Sequence, residues 1–279
     1  MNGRRTVVGF CMLCALLVSA FAAQSASAIT GTTAFTCSKE AAIKDRVGEH
    51  CLNIEGSKEY GHVAIAENTT TEVTATNEKT EANTTKARLF TLRITIGGVP
   101  LAIHATGVSG SGWMTNAVNP ATKEHYAHGE GTVTFTGVTI TEPAGRGCKV
   151  YTHKEDGSGN PGEEGAEGIV HTRLLKATTE GQGDNVKFTA ADNGNFVNFW
   201  ITCEVPLPAI EGTWSCSGSV KGQPNGATIE FTHATVTAEN TLKCRGAKAG
   251  IDGASTLSGK DPKIAGDTFK PLAGTTVTT

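Results

Sequence analysis

The sequence predicts an all-β fold, an antiparallel β-sandwich or barrel-like domain with little helix. Three observations carry that expectation. Short runs of Thr, Val, Ile and Phe alternate with polar residues at a period of two, the pattern of a half-buried strand. Glycine makes up 34 of 279 residues and falls between and within these runs, where turns and bulges need positive φ. Helical i, i+3, i+4 spacing is almost missing, and only Lys39–Val47 reads as a short helix. A β-solenoid would require a fixed short repeat, and none is present.

In chain order, Thr70–Thr76 is a weak strand, and the strongest element follows it. Phe90, Leu92, Ile94 and Ile96 alternate with Thr91, Arg93 and Thr95, and Val99, Leu101, Ile103 and Ala105 alternate with Pro100, Ala102 and His104. Between the two runs lies Gly97-Gly98, a two-residue loop that admits φ > 0 twice and so favours a hairpin. It sets Ile96 against Val99, Ile94 against Leu101, Leu92 against Ile103 and Phe90 against Ala105. A one-residue slip would spoil all four pairs. Pro100 then faces Thr95 where no N–H is needed, as on an edge strand. Thr132–Thr141 reads as one strand with a bulge at Gly137, because Val133 and Phe135 share one phase and Val138 and Ile140 the other.

Ile169–Thr178 and Val186–Thr189 are weaker strands. Asn195–Val205 puts Val197, Phe199, Ile201, Cys203 and Val205 on one face, and Phe196 and Trp200 with Asn198 and Thr202 on the other. Apolar groups on both faces mark a covered, central strand. Trp214, Cys216, Gly218 and Val220 alternate with Thr and Ser, giving a strand with one wet face. Lys221–Gly226 reads as a turn, Ala227–His233 as the next strand and Thr241–Arg245 as a weak one. The end of the chain, from Gly259, reads as loosely ordered.

Residues 1–28 read as a signal peptide: Arg4 and Arg5, an apolar run from Thr6 to Ala22, then the small-residue motif Ala26-Ser27-Ala28. No later stretch reaches the length of a transmembrane helix, so no membrane span is expected after cleavage. Residues 29–279 read as a single all-β domain with a small disulfide-closed N-terminal segment, about 29–65. A net charge of -3 and 18% charged residues give neither the basic footprint of a nucleic-acid binder nor the charge density of a disordered chain. The expected location is extracellular or in the cell envelope.

Cleavage leaves Cys37, Cys51, Cys148, Cys203, Cys216 and Cys244. An even count in an exported chain points to disulfides, and the C-x-x-C spacing of a zinc site is missing. Cys37 and Cys51, close in sequence and far from the rest, form one pair; the other four leave three connectivities open, among them Cys203–Cys216 across the turn between their strands.

Four stretches carry a resemblance. They are Phe35-Thr36-Cys37 with Glu49-His50-Cys51 and Tyr60-Gly61-His62-Val63; Thr139-Ile140-Thr141-Glu142-Pro143-Ala144-Gly145 with Gly147-Cys148-Lys149-Val150; Gly218–Thr228; and Gly246–Gly253. Together they resemble a group of functionally uncharacterised, secreted β-rich proteins of soil actinobacteria. The resemblance implies export and an all-β fold, and no activity. It also implies Cys148–Cys203, whose matching positions occur together in that group, and with it Cys216–Cys244.

The chemistry-bearing motifs are incomplete. His125-Tyr126-Ala127-His128, with Glu124 and Glu130 nearby, lacks the helical spacing of a zinc-binding H-E-x-x-H and reads as a polar surface loop. His50 reads as a neighbour of a disulfide, and His104 and His233 as packed or edge histidines in strands. Asp156–Asn160 alternates oxygen side chains as calcium loops do, but Pro161 stands where glycine is required. Gly107–Ser111 nearly matches G-x-S-x-G but follows a hairpin and precedes no helix. Glu163-Glu164 has no strand context for glycoside hydrolysis. Asn68-Thr69-Thr70 and Asn83-Thr84-Thr85 match the glycosylation sequon. Phe196 and Trp200, on one face of their strand, form a candidate aromatic platform for a carbohydrate or cell-envelope ligand. No catalytic, metal or cofactor site is expected. The function expected is a secreted or envelope-associated non-catalytic β protein, a binding module. Its alternatives are a secreted hydrolase and a subunit of a surface assembly.

Overall fold

A computed structural model of the protein describes residues 31–39, 41, 44–47, 55–78, 88–153, 165, 167–179, 185–225, 228–233, 240–259 and 270–276. These residues form nineteen strands and no helix. The first eight strands are β1 (Gly31–Ser38), β2 (Gly61–Ala64), β3 (Thr71–Asn77), β4 (Phe90–Ile96), β5 (Val99–Ala105), β6 (Gly107–Val118), β7 (His125–Thr136) and β8 (Thr139–Glu142). Then come β9 (Cys148–Thr152), β10 (Ile169–His171), β11 (Leu175–Thr179), β12 (Val186–Ala190), β13 (Asn195–Cys203) and β14 (Gly212–Ser217). The last are β15 (Ser219–Asn225), β16 (Thr228–His233), β17 (Lys243–Cys244), β18 (Ala247–Gly259) and β19 (Lys270–Thr276).

Eight of them close a barrel in the order β3–β6–β7–β11–β12–β15–β16–β18 and back to β3, with every neighbour antiparallel. Closure leaves no free sheet edge in the ring, and a barrel of this size either fills with side chains or holds one small ligand. Its longest ladder joins β6 to β7, from Gly107↔Thr136 to Val118↔His125.

The remaining strands branch from this ring, and β18 is the junction. One edge of β18 pairs with β16; the other pairs first with β4, from Ala249↔Ile94 to Asp252↔Thr91, and then with β3, from Ser255↔Asn77 to Gly259↔Val73. The change of partner falls at Gly253, where a Cβ would lie 2.4 Å from the Phe90 ring, so only glycine fits. From β18 one wing runs through β4, β5 and β8, and the other through β17, β14, β13 and β9. Gly168 joins the wings: its N–H donates to the Val150 carbonyl and its carbonyl accepts from the Val138 N–H, both at 2.9 Å.

The main core lies inside this second loop of strands. Trp214, Ile201, Ile210 and Val150 are all at 0% exposure there. Trp214 donates from Nε1 to the Ile210 carbonyl at 2.7 Å, its ring stacks on Phe199, and Arg245 lies 5.2 Å from its centroid. The Trp donor is thus paired while the ring is wholly dry. Two disulfides cross this region between residues directly opposite in the ladders: Cys148–Cys203 on β9 and β13, and Cys216–Cys244 on β14 and β17. These are the bridges that the resemblance implies, and Cys203–Cys216 does not form. Cys37 is also disulfide-bonded, while Cys51, its expected partner, lies outside the described residues. The bridges fit an oxidising environment.

A third group, β1, β2 and β19, lies against one end of the barrel. β1 pairs antiparallel with β2 and β19 and parallel with the start of β7. Asn116, 2% exposed, fastens it: its Oδ1 accepts from the Ala34 N–H, and its Nδ2 donates to the carbonyls of Ala34 and Ile65. A fully bonded buried amide of this kind fixes one arrangement of the chain.

The expected hairpin forms with all four apolar pairs and with Pro100 opposite Thr95; φ is 56° at Gly97 and 79° at Gly98. Five expectations need correction. Thr132–Thr141 is two strands, β7 and β8, because Gly137 (φ 60°) redirects the chain to a new partner, and β7 already begins at His125. Trp214 and Val220 likewise sit on separate strands, divided at Gly218 (φ 108°). Lys221–Asn225, read as a turn, belongs to β15, where β12 and β16 pair with it. Lys270–Thr276, within the end read as loose, forms β19. No described residue of Lys39–Val47 is helical, and Arg46 instead bridges Tyr60. Residues 1–28 lie outside the described residues.

Candidate ligand-binding lumen

The barrel interior follows from strand alternation. Residues facing inward include Val73 and Ala75 on β3, Gly110, Gly112 and Met114 on β6, and Ala127, Gly129, Gly131 and Val133 on β7. Leu175, Ala177 and Thr179 on β11, Val186 and Phe188 on β12, Pro224 on β15, Ile229 on β16 and Leu257 on β18 complete the ring. They line a half-open cavity of about 130 Å³.

The space has a definite cause. Inward positions on β6 and β7 are glycine twice each, and Gly112 lies opposite Gly131. A Cβ on Gly112 would come 2.2 Å from the Glu130 carbonyl, one on Gly129 2.1 Å from that of Trp113, and one on Gly131 2.6 Å from that of Ser111. The two strands coil so tightly here that even a methyl group has no room, as glycine kinks in barrels allow. Ala75 and Ala177 extend the bare patch to β3 and β11. Inward-facing Val73, Ala75, Met114, Ala177, Phe188 and Leu257 are accordingly only half-buried.

The lumen offers almost no free polarity. The Thr179 hydroxyl accepts from the Ala127 N–H at 2.8 Å and donates to the Ala127 carbonyl at 3.3 Å. His128 and Glu130 border the cavity through their backbone, because alternation turns their side chains to the outer face. There Trp113 meets His128 edge-on at 5.7 Å, and Tyr126 stacks on His128 at 5.4 Å. A second cavity, of about 80 Å³, lies between the wings against Phe90, Phe135, Phe196, Phe199 and Leu242.

The sequence candidates fall elsewhere. Phe196 is 7% exposed, in the core, and the register shifts between Asn195 and Val197. Trp200 is half-buried, with His153 stacked on it at 6.2 Å. The bulge and the burial of Phe196 mean that the two rings make no open platform. His125 and His128 lie in a strand rather than a loop, on opposite faces of β7, and the Nδ1 of His125 is 3.1 Å from Glu67. Among the described residues no group of three His, Cys, Asp or Glu could hold a metal ion. His104 faces Thr91 and Thr139 across its ladders, and the Nε2 of His233 lies 2.8 Å from the Lys221 carbonyl. Gly107–Ser111 is the start of β6. His50, the Asp156–Asn160 loop, Glu163-Glu164 and the second sequon lie outside the described residues.

The lumen itself was not anticipated. Its signal was present as two Gly-x-Gly pairs, Gly110-Ser111-Gly112 and Gly129-Glu130-Gly131, at strand period. No protein-family model, curated protein or solved structure matches the chain.

Proposed function

We propose that this is an exported, extracellular or envelope-associated β protein that acts by binding rather than catalysis, with the barrel lumen as its site. The observation that carries the reading is an apolar cavity inside a closed barrel, kept open by glycines that no larger residue can replace. Concave, mostly apolar sites of this kind are where proteins take small molecules. Two disulfides and the leader-like residues 1–28 support export.

The test is thermal unfolding of the full mature chain with a panel of small molecules, hydrocarbon, phenolic, acidic and long-chain, beside the lumen-filling variant Ala177→Leu. At least one compound should raise the Tm of the wild type and not that of the variant. If none does, the lumen is not a binding site. Mass spectrometry of secreted material should find Ile29 as the first residue; an intact N-terminus in the membrane fraction would defeat export.

A second reading rests on the outer-face rings Trp113, Tyr126 and His128, which suit stacking on a carbohydrate. Retention on insoluble envelope polysaccharide, lost in Trp113→Ala, would favour it.

A further inference from the structure

Resting on the lumen reading, we propose that the ligand is a compact, uncharged hydrocarbon of about the size of benzene or toluene, held flat between a backbone wall and a wall of apolar side chains.

Size sets the first limit. An apolar cavity of about 150 Å³ is dry and takes benzene or xenon, and the lumen measures about 130 Å³. A monocyclic ring or a short branched alkane fits that space; a long acyl chain does not.

Shape sets the second. Gly110, Gly112, Gly129 and Gly131 expose peptide backbone instead of side chains over two adjacent strands. Halfway round the ring, β15 and β16 present Pro224 and Ile229, with Phe188 and Leu257 on the strands that flank them. A slot with one flat wall and one contoured wall favours a planar guest, which maximises contact with both. The flat wall is permanent, because a Cβ at Gly112, Gly129 or Gly131 would collide with the carbonyl of the strand beside it.

Polarity sets the third. The Thr179 hydroxyl is committed to the Ala127 backbone, and the polar side chains of His128 and Glu130 point to the outer face. A hydroxyl or carboxylate entering the lumen would give up water and gain no partner. The chemistry therefore selects against the head groups of fatty acids and phenols and for a bare hydrocarbon.

The experiment titrates the full mature chain with toluene, benzene, phenol, benzoate and laurate, reading Tm and intermolecular NMR contacts to the side chains of Leu175, Phe188 and Leu257. Toluene and benzene should bind saturably, phenol at least tenfold more weakly, and benzoate and laurate without a shift. Ala177→Leu should abolish toluene binding while keeping its near-ultraviolet circular dichroism; Ala75→Leu, on the other side of the bare patch, serves if Ala177→Leu does not fold. Laurate or benzoate binding more tightly than toluene overturns the hydrocarbon assignment and leaves the lumen reading standing. Silence from all five probes overturns both. Toluene binding that survives both filling variants also overturns both, because the site then lies outside the lumen.

Discussion

Around Trp214 and around Gly112 the same chain builds β-sheet in opposite ways. The wing core fills every position: Trp214, Ile201, Val150 and Cys216 are sealed, and disulfides tie the strands on either side. The barrel interior puts glycine and alanine where a core would place Val or Leu, and Val73, Met114, Phe188 and Leu257 in its lining stay half-buried. Both have continuous hydrogen-bonded ladders, so the ladders are not what separates them. Side-chain volume is: one region spends its interior on packing, the other keeps part of it empty.

The contrast predicts unequal responses to substitution. Trp214→Ala removes the largest sealed side chain and should cost about 3–5 kcal/mol in urea unfolding, enough to leave the wing core poorly formed. Removing a bridge should come next. Replacing either cysteine pair by serine should cost about 2–4 kcal/mol. The Cys148–Cys203 pair, with a separation of 55 against 28, should lose the more, by about 0.6 kcal/mol for a doubled loop. A direct comparison of the regions uses one change in both. Ala249→Leu, at a site 0% exposed, should overpack and cost about 1–3 kcal/mol, whereas Ala177→Leu in the lumen should cost less than about 1 kcal/mol. Equal costs would mean that the lumen is packed as tightly as the wing core.

The smallest effect belongs to the third group of strands. His62 lies opposite Cys37, its ring 5.4 Å from Phe35, and burial together with the Arg46 charge holds its pKa below the ordinary 6.5. The folded state thus favours the neutral ring. Above pH 6.5 that preference costs nothing; as pH falls from there through the lowered folded value, the unfolded chain takes up the proton first and stability declines. Amide protection factors at Cys37 and Val63, corrected for the intrinsic pH dependence of exchange, should fall over that range, and His62→Gln should flatten the response.

Legibility in the sequence followed the same physics. The hairpin over β4 and β5 was readable to the residue, because its loop and its alternation are local and agree. Strands such as β18 and β6 were not, because Ala, Gly and Ser give no alternation and each has one partner, β4 or β3, remote in sequence. β19 was hidden for a similar reason, since it is ordered by β1 at the other end of the described chain. Phe196 misled because a bulge, invisible in the residues, breaks the count between it and Trp200. The lumen went unread because emptiness leaves only small residues behind, and glycines in a β-rich chain pass for turns.

The β1–β19 pairing also bears on how the protein is made. A chain synthesised from its N-terminus presents β1 well before β19, the neighbour that is last among the described strands. Until then β1 has β2 and the start of β7 on offer, and the edge meant for β19 stands open. Contacts this distant along the chain slow assembly. A chain cut before Lys270 would thus keep an adhesive edge on β1 that β19 otherwise covers.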